Sequence, residues 1–126
     1  MDVDVTWEDQ QRINKFGRSN QRLHDLEADV GKWQEELENL DDAATEVMVA
    51  DEDEPMRYMI GKVFVLLPPD EVDARIEARK EEIEAKIAEA EEEIESLRET
   101  MAELKVVLYA KFKSSINLEE NPKPSV

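Results

Sequence analysis

Among the residues able to do chemistry in this chain, carboxylates are the largest group. Its 126 residues include 33 Asp and Glu, one His and no Cys. Without cysteine there is no thiolate nucleophile, no disulfide framework and no thiolate metal site. His24 has no second histidine with which to build a dyad and reads as a lone surface histidine. Asp51-Glu52-Asp53-Glu54 resembles a run of calcium ligands. It lacks the turn glycine and the terminal bidentate glutamate of an EF-hand loop, so it reads as a solvated linker. No Gly-rich phosphate loop is present. A catalytic carboxylate pair needs burial to push its pKa values apart, and thin helical elements offer little. No catalytic, metal-binding or cofactor-binding residue is expected. The chemistry that remains is that of apolar surfaces.

The elements that would position such surfaces follow from apolar spacing. Leu26, Val30, Trp33, Leu37, Leu40, Ala44 and Val47 recur in a 4-3 rhythm, and so do Ile83, Ile87, Ala90, Ile94, Leu97, Met101, Leu104 and Leu108. A sustained 4-3 repeat keeps one seam of a helix facing a partner helix. Between the two repeats, Arg57 to Leu66 reads as two short strands joined by Gly61-Lys62, a sequence suited to a type II′ turn. In that register Ile60 faces Val63, Met59 faces Phe64 and Tyr58 faces Val65, and both faces of the hairpin are largely apolar. An isolated two-stranded hairpin is marginal in water, so this one implies burial against its own helices and against hairpins of other subunits. The expected fold class is mainly α: a long antiparallel two-helix coiled coil with a short β-hairpin at the bend.

Boundaries follow from local signals. Thr6 with Asp9 three residues on forms a capping-box-like start, which predicts helix 1 over about 6–49. Pro55 breaks that helix, and the linker and hairpin occupy about 51–67. Asp70 can cap helix 2, predicted over about 70–113, and residues 114–126 read as a flexible tail. The whole of 1–126 reads as a single domain. Each helix of roughly 40 residues would be on the order of 60 Å long.

Charge excludes further classes. The formal net charge is −17 and the charged fraction 39%, which opposes nucleic acid and anionic membrane surfaces. The run Val63 to Leu67 is far too short to span a bilayer, and Met1-Asp2-Val3-Asp4 has no apolar signal core. A soluble intracellular protein is expected. Helix 2 carries like-charged pairs four apart, Glu89/Glu93, Glu91/Glu95, Glu95/Glu99 and Glu99/Glu103, offset by Glu71/Arg75 and Glu82/Lys86. Its acidic face reads as solvated, with a basic partner as the sharper alternative.

Three stretches now carry a resemblance. Val5 to Phe16, Tyr58 to Val65 and Leu108 to Glu119 are similar to the first-helix start, the hairpin and the chain end of a β-type subunit of the prefoldin family. The resemblance runs from about residue 3 to 120. Gly17 departs from it where a helix former is usual, and Lys62 where an acidic residue is common after the turn Gly. The resemblance implies a heterohexamer of two α-type and four β-type prefoldin subunits whose hairpins form a β-barrel platform. It implies no cofactor and no nucleotide hydrolysis. It also implies capture of unfolded or nascent clients, notably actin and tubulin, at coiled-coil tips, transfer to the cytosolic chaperonin, and a cytoplasmic setting compatible with a nuclear one.

Both chain ends are apolar for so charged a chain. Val3, Val5, Trp7, Ile13, Phe16, Leu108, Tyr109, Phe112 and Ile116 are the candidates for client contact at the tip. Ile13, Phe16, Leu108 and Phe112 are also spaced to pack on one another and close the coil. Tyr58, Met59, Ile60, Gly61, Val63, Phe64 and Val65 are the candidates for assembly. The alternative is a structural coiled-coil scaffold, or a subunit of a prefoldin-like complex without direct client binding; that reading predicts polar ends.

Overall fold

The computed structural model describes residues 5–112. They form helix α1 (Trp7–Met48), strands β1 (Met56–Ile60) and β2 (Val63–Leu67), and helix α2 (Pro69–Phe112), in that order. This is the expected plan of two long helices with an antiparallel hairpin between them. Val3, Ile116, the expected tail and the expected helix end at Lys113 lie outside the described residues.

The start of α1 is a reciprocal capping box. Asp9 N donates to Thr6 Oγ1 at 3.1 Å, and Thr6 N donates to Asp9 Oδ2 at 3.1 Å. Two amides that the helix leaves orphaned are thereby satisfied. Thr6 thus precedes the helix and caps it. The other end closes on a tight turn, with Ala50 N donating to the Val47 carbonyl at 3.2 Å, so Val49 lies beyond the helix.

Helix α2 corrects the reading of Asp70 as its cap. The Pro68 carbonyl accepts from Glu71 N at 3.0 Å and from Val72 N at 3.1 Å, and the helix begins at Pro69. Proline suits the first helical position because its φ is already helical and its missing N–H would find no partner there. Asp70 and Glu71 then fall in the first turn and complement the helix dipole.

The chain divides into two compact units. In the end unit (residues up to 29 and from 89), α1 and α2 run antiparallel. Phe16, Leu23 and Leu26 from α1 and Ala90, Ile94, Met101, Leu108 and Phe112 from α2 are buried. Arg22 binds Glu93 through two bonds, of 2.6 and 3.1 Å, and Arg98 lies 3.6 Å from Glu27. The Glu93 carboxyl is held below its ordinary pKa by its bond to Arg22, against a smaller effect of burial. His24 is half-buried, which corrects its reading as a surface residue, and its Nε2 and Asn20 Oδ1 are buried without a hydrogen-bond partner.

In the hairpin unit (residues 30–88), Val72, Ile76 and Ile83 of α2 are buried. The α1 stripe here, Val30, Trp33, Leu37, Leu40, Ala44 and Val47, is only half-buried. Arg79 and Lys80 stand between Ile76 and Ile83 in sequence and are half-buried. Their heads reach α1, Arg79 to Glu36 at 2.6 and 3.0 Å and Lys80 to Asp41 at 2.9 Å. The pairs Glu71/Arg75 and Glu82/Lys86 form along α2 at 3.2 and 3.5 Å.

A Cβ at Gly17 would meet nothing within 4 Å. Packing therefore does not require glycine there, and Gly17→Ala should raise the unfolding free energy by about 1 kcal/mol. Urea denaturation of the purified chain measures it; an unchanged or lowered value would show a strain at this turn that the structure does not contain.

Candidate functional site

The hairpin pairs Met56 with Leu67, Arg57 with Leu66, Tyr58 with Val65, Met59 with Phe64 and Ile60 with Val63, the register expected from sequence. Gly61 has φ +61°, the positive value that a primed hairpin turn requires. Alternation then separates two faces. On one, Met56, Tyr58, Val65 and Leu67 are half-buried and only Ile60 and Val63, next to the turn, are exposed. The other is bare: Met59, Phe64 and Leu66 are 53%, 52% and 67% exposed. Its one cation, Arg57, lies 4.8 Å from the centroid of the Phe64 ring. On the packed side Arg75 lies 5.7 Å from the Tyr58 ring. Leu66, read from sequence as a strand residue but not as an assembly candidate, completes the bare face.

Beside the hairpin, Glu52, Asp53, Glu54, Pro55, Leu66, Pro68 and Pro69 line an open cleft of about 430 Å³. It offers exposed carboxylates and no nucleophile–base pair. Among the described residues no group of His, Asp and Glu is arranged to hold a metal ion, and no helix is long and apolar enough to cross a membrane.

The end unit sorts the tip candidates. Phe16, Leu108 and Phe112 are buried and Ile13 is half-buried, so these four close the seam. Val5, Trp7 and Tyr109 are exposed, Trp7 at 72%. Sequence reasoning missed Val106, also 72% exposed, and its neighbour Val107. Ala102, Val106, Tyr109 and Ala110 are all exposed and spaced i, i+4, i+7, i+8, which places them on one helix face. Met101, Leu104 and Leu108 occupy the opposite face. The last turns of α2 are therefore apolar on two sides. That second stripe was available in the sequence but was hidden by the stronger 4-3 rhythm beside it.

An ion pair fastens this end. Asp9 is 3% exposed, and Lys111 Nζ donates to its Oδ2 while Arg12 Nη1 donates to Oδ1 at 3.2 Å. The bond from Lys111, with help from the Thr6 amide and hydroxyl and against the effect of burial, lowers the Asp9 pKa from 3.8 to about 2.

A family model described as prefoldin subunit matches residues 10–115. The chain belongs to the prefoldin family. It is 43% identical over 119 residues to prefoldin subunit 4 of Homo sapiens, spanning 94% of this chain and 89% of that protein. It is 36% identical over 115 residues to prefoldin subunit 4 of Saccharomyces cerevisiae, spanning 91% and 89%. The fold is similar to the crystal structure of the prefoldin beta subunit from Thermococcus strain KS-1, with a TM-score of 0.73, 19% identity, and 86% of this chain and 96% of that chain covered. The chain is a subunit of the prefoldin co-chaperone type, and prefoldin membership accounts for a hairpin whose outer face is bare in the single chain: it suits assembly with other prefoldin subunits.

Two outcomes are expected. Met59→Asp with Phe64→Asp should abolish assembly with partner subunits, as read by size-exclusion chromatography with light scattering, and leave the helical circular dichroism of the single chain intact, because charge would be buried unpaired only in the complex. Asp9, with its folded pKa depressed, stabilises the fold fully above pH about 4 and loses that contribution as pH falls toward about 2. Acid unfolding of Asp9→Asn should therefore be flatter than wild type across that window.

Proposed function

We propose that this chain is a β-type subunit of a heterohexameric, ATP-independent chaperone that captures unfolded or nascent proteins, actin and tubulin among them, at its chain ends and passes them to the cytosolic chaperonin. Two α-type and three further β-type prefoldin subunits complete the assembly, and the setting is the cytoplasm. The observation that carries this reading is the apolar surface left bare at the end unit of a chain with net charge −17: Val5, Trp7 and the stripe of Ala102, Val106, Tyr109 and Ala110. Isolated apolar side chains are ordinary on a surface, whereas a helix that presents a second apolar stripe away from its seam has side chains available to a partner. An unfolded segment offers apolar groups in no fixed geometry. A stripe of small and medium side chains can meet many such segments weakly, and several subunits acting together supply the affinity.

A scaffold without client binding would have polar ends, and these are apolar. The test is light scattering of chemically denatured actin diluted into buffer without ATP, with the reconstituted hexamer present. Wild type should suppress aggregation. Trp7→Ser, Val106→Ser and Tyr109→Ser combined should weaken suppression severalfold in a hexamer of unchanged mass. Equal protection by both hexamers would make this subunit architectural, with client held elsewhere.

A further inference from the structure

Among the described residues, Asp9 is the one ionisable side chain that is buried. It stands seven residues before Phe16 and fourteen before Leu23, in register with the α1 seam, where an apolar side chain would ordinarily sit. A charge in a seam is retained at a cost unless it is paired. Its partners fall into two groups. Thr6 caps α1 and Arg12 lies within it, so both travel with that helix. Lys111 reaches it from the last turn of α2, seven residues after Leu104 and so on the α2 seam register. Lys111 is 37% exposed, and its Nζ lies 5.3 Å from the ring centroid of buried Phe112. The pair thus stands near the mouth of the seam, outside Phe16 and beside Phe112.

The segment behind the pair is weakly held. Gly17 lies in the helix interior without a packing reason. Ser19 occupies a seam position and is buried, and Asn20 Oδ1 and His24 Nε2 are buried without partners. The α1 side of this layer contributes little apolar burial and carries unmet desolvation. The turns of α1 from Trp7 to Phe16 are therefore joined to the better-packed Leu23 and Leu26 through a poor layer, and such segments open locally before the whole fold does.

We propose that Asp9 and Lys111 are positioning residues for client capture: the pair holds the end of the molecule closed, and when it parts the first turns of α1 lift and add Phe16, Leu108 and Phe112 to the apolar surface offered to a client. This rests on the capture reading above. Closed, the end shows Trp7 and the α2 stripe. Open, it shows the seam as well, so the pair sets how much apolar surface the subunit presents.

The test uses the reconstituted hexamer and two readouts. In hydrogen exchange, Lys111→Ala should speed the amides of residues 10–20 by about tenfold and leave those of residues 32–45 unchanged. Lys111→Arg, which keeps the charge, should match wild type. Lys15→Ala, which removes an exposed cation elsewhere on α1, should also match wild type and so exclude a net-charge effect. In binding, Lys111→Ala should hold denatured actin severalfold more tightly than wild type, measured by fluorescence anisotropy. Unchanged exchange in Lys111→Ala would overturn closure by the pair. Faster exchange with unchanged or weaker binding would overturn the role in capture and leave the pair merely structural. A wild-type hexamer that captures no actin would overturn the capture reading itself, and the exchange data would still decide whether the pair closes the end.

Discussion

One narrow apolar stripe per helix is what this structure depends on. A chain with 39% charged residues and net charge −17 repels itself, and an isolated helix gains little in water from propensity alone. Packing one helix on the other supplies what is missing. Each aliphatic side chain taken fully out of water contributes about 1.5–3 kcal/mol, and Ile76, Ile83, Met101 and Leu108 are the large side chains that reach that state. The ion pairs that cross between α1 and α2 do a different job. Exposed pairs add little stability, but Arg22 with Glu93 and Arg79 with Glu36 are bidentate and fix which residues stand opposite. Hydrophobic burial holds the helices together, and guanidinium–carboxylate geometry sets their register.

The parts of the fold that obey a single period were legible in the sequence. The 4-3 rhythm from Leu26 and from Ile83, the pairing of Met59 with Phe64 and the Thr6 cap all follow from local rules, and the structure has them. What stayed hidden is where polar residues stand in apolar positions. The α1 seam continues back through Leu23, Ser19 and Phe16 to Asp9, but serine and aspartate break the pattern that a reader follows. The α2 seam likewise continues through Ile76 and Val72, past half-buried Arg79 and Lys80, whose heads find carboxylates on α1. Asp70 was a reasonable cap by residue type, yet Pro69 fits the first helical position better, and one residue of register decided it. The surfaces were legible in part: spacing already offered Ile13, Phe16, Leu108 and Phe112 as the residues that close the coil, whereas the exposure of Trp7 and Tyr109 depends on the partner helix. The Val106 stripe needed the same information.

The distribution of burial within each unit is uneven in a way that composition alone does not explain. In the hairpin unit the α1 stripe is half-buried and one hairpin face is bare, so apolar area is left over at the hairpin. In the end unit the seam is closed by buried apolar side chains on either side of Ser19, and a charged pair stands at its mouth. Surplus apolar surface on a neutral chain would drive copies of it together. Here every copy carries the same strong negative charge, so homotypic contact through either patch brings like charges close, at a cost that salt reduces. A partner without that charge meets the same patches with no such cost. Acidity and exposed apolar side chains are thus complementary properties: the first keeps the second free, and what is excluded is chiefly another copy of the same chain.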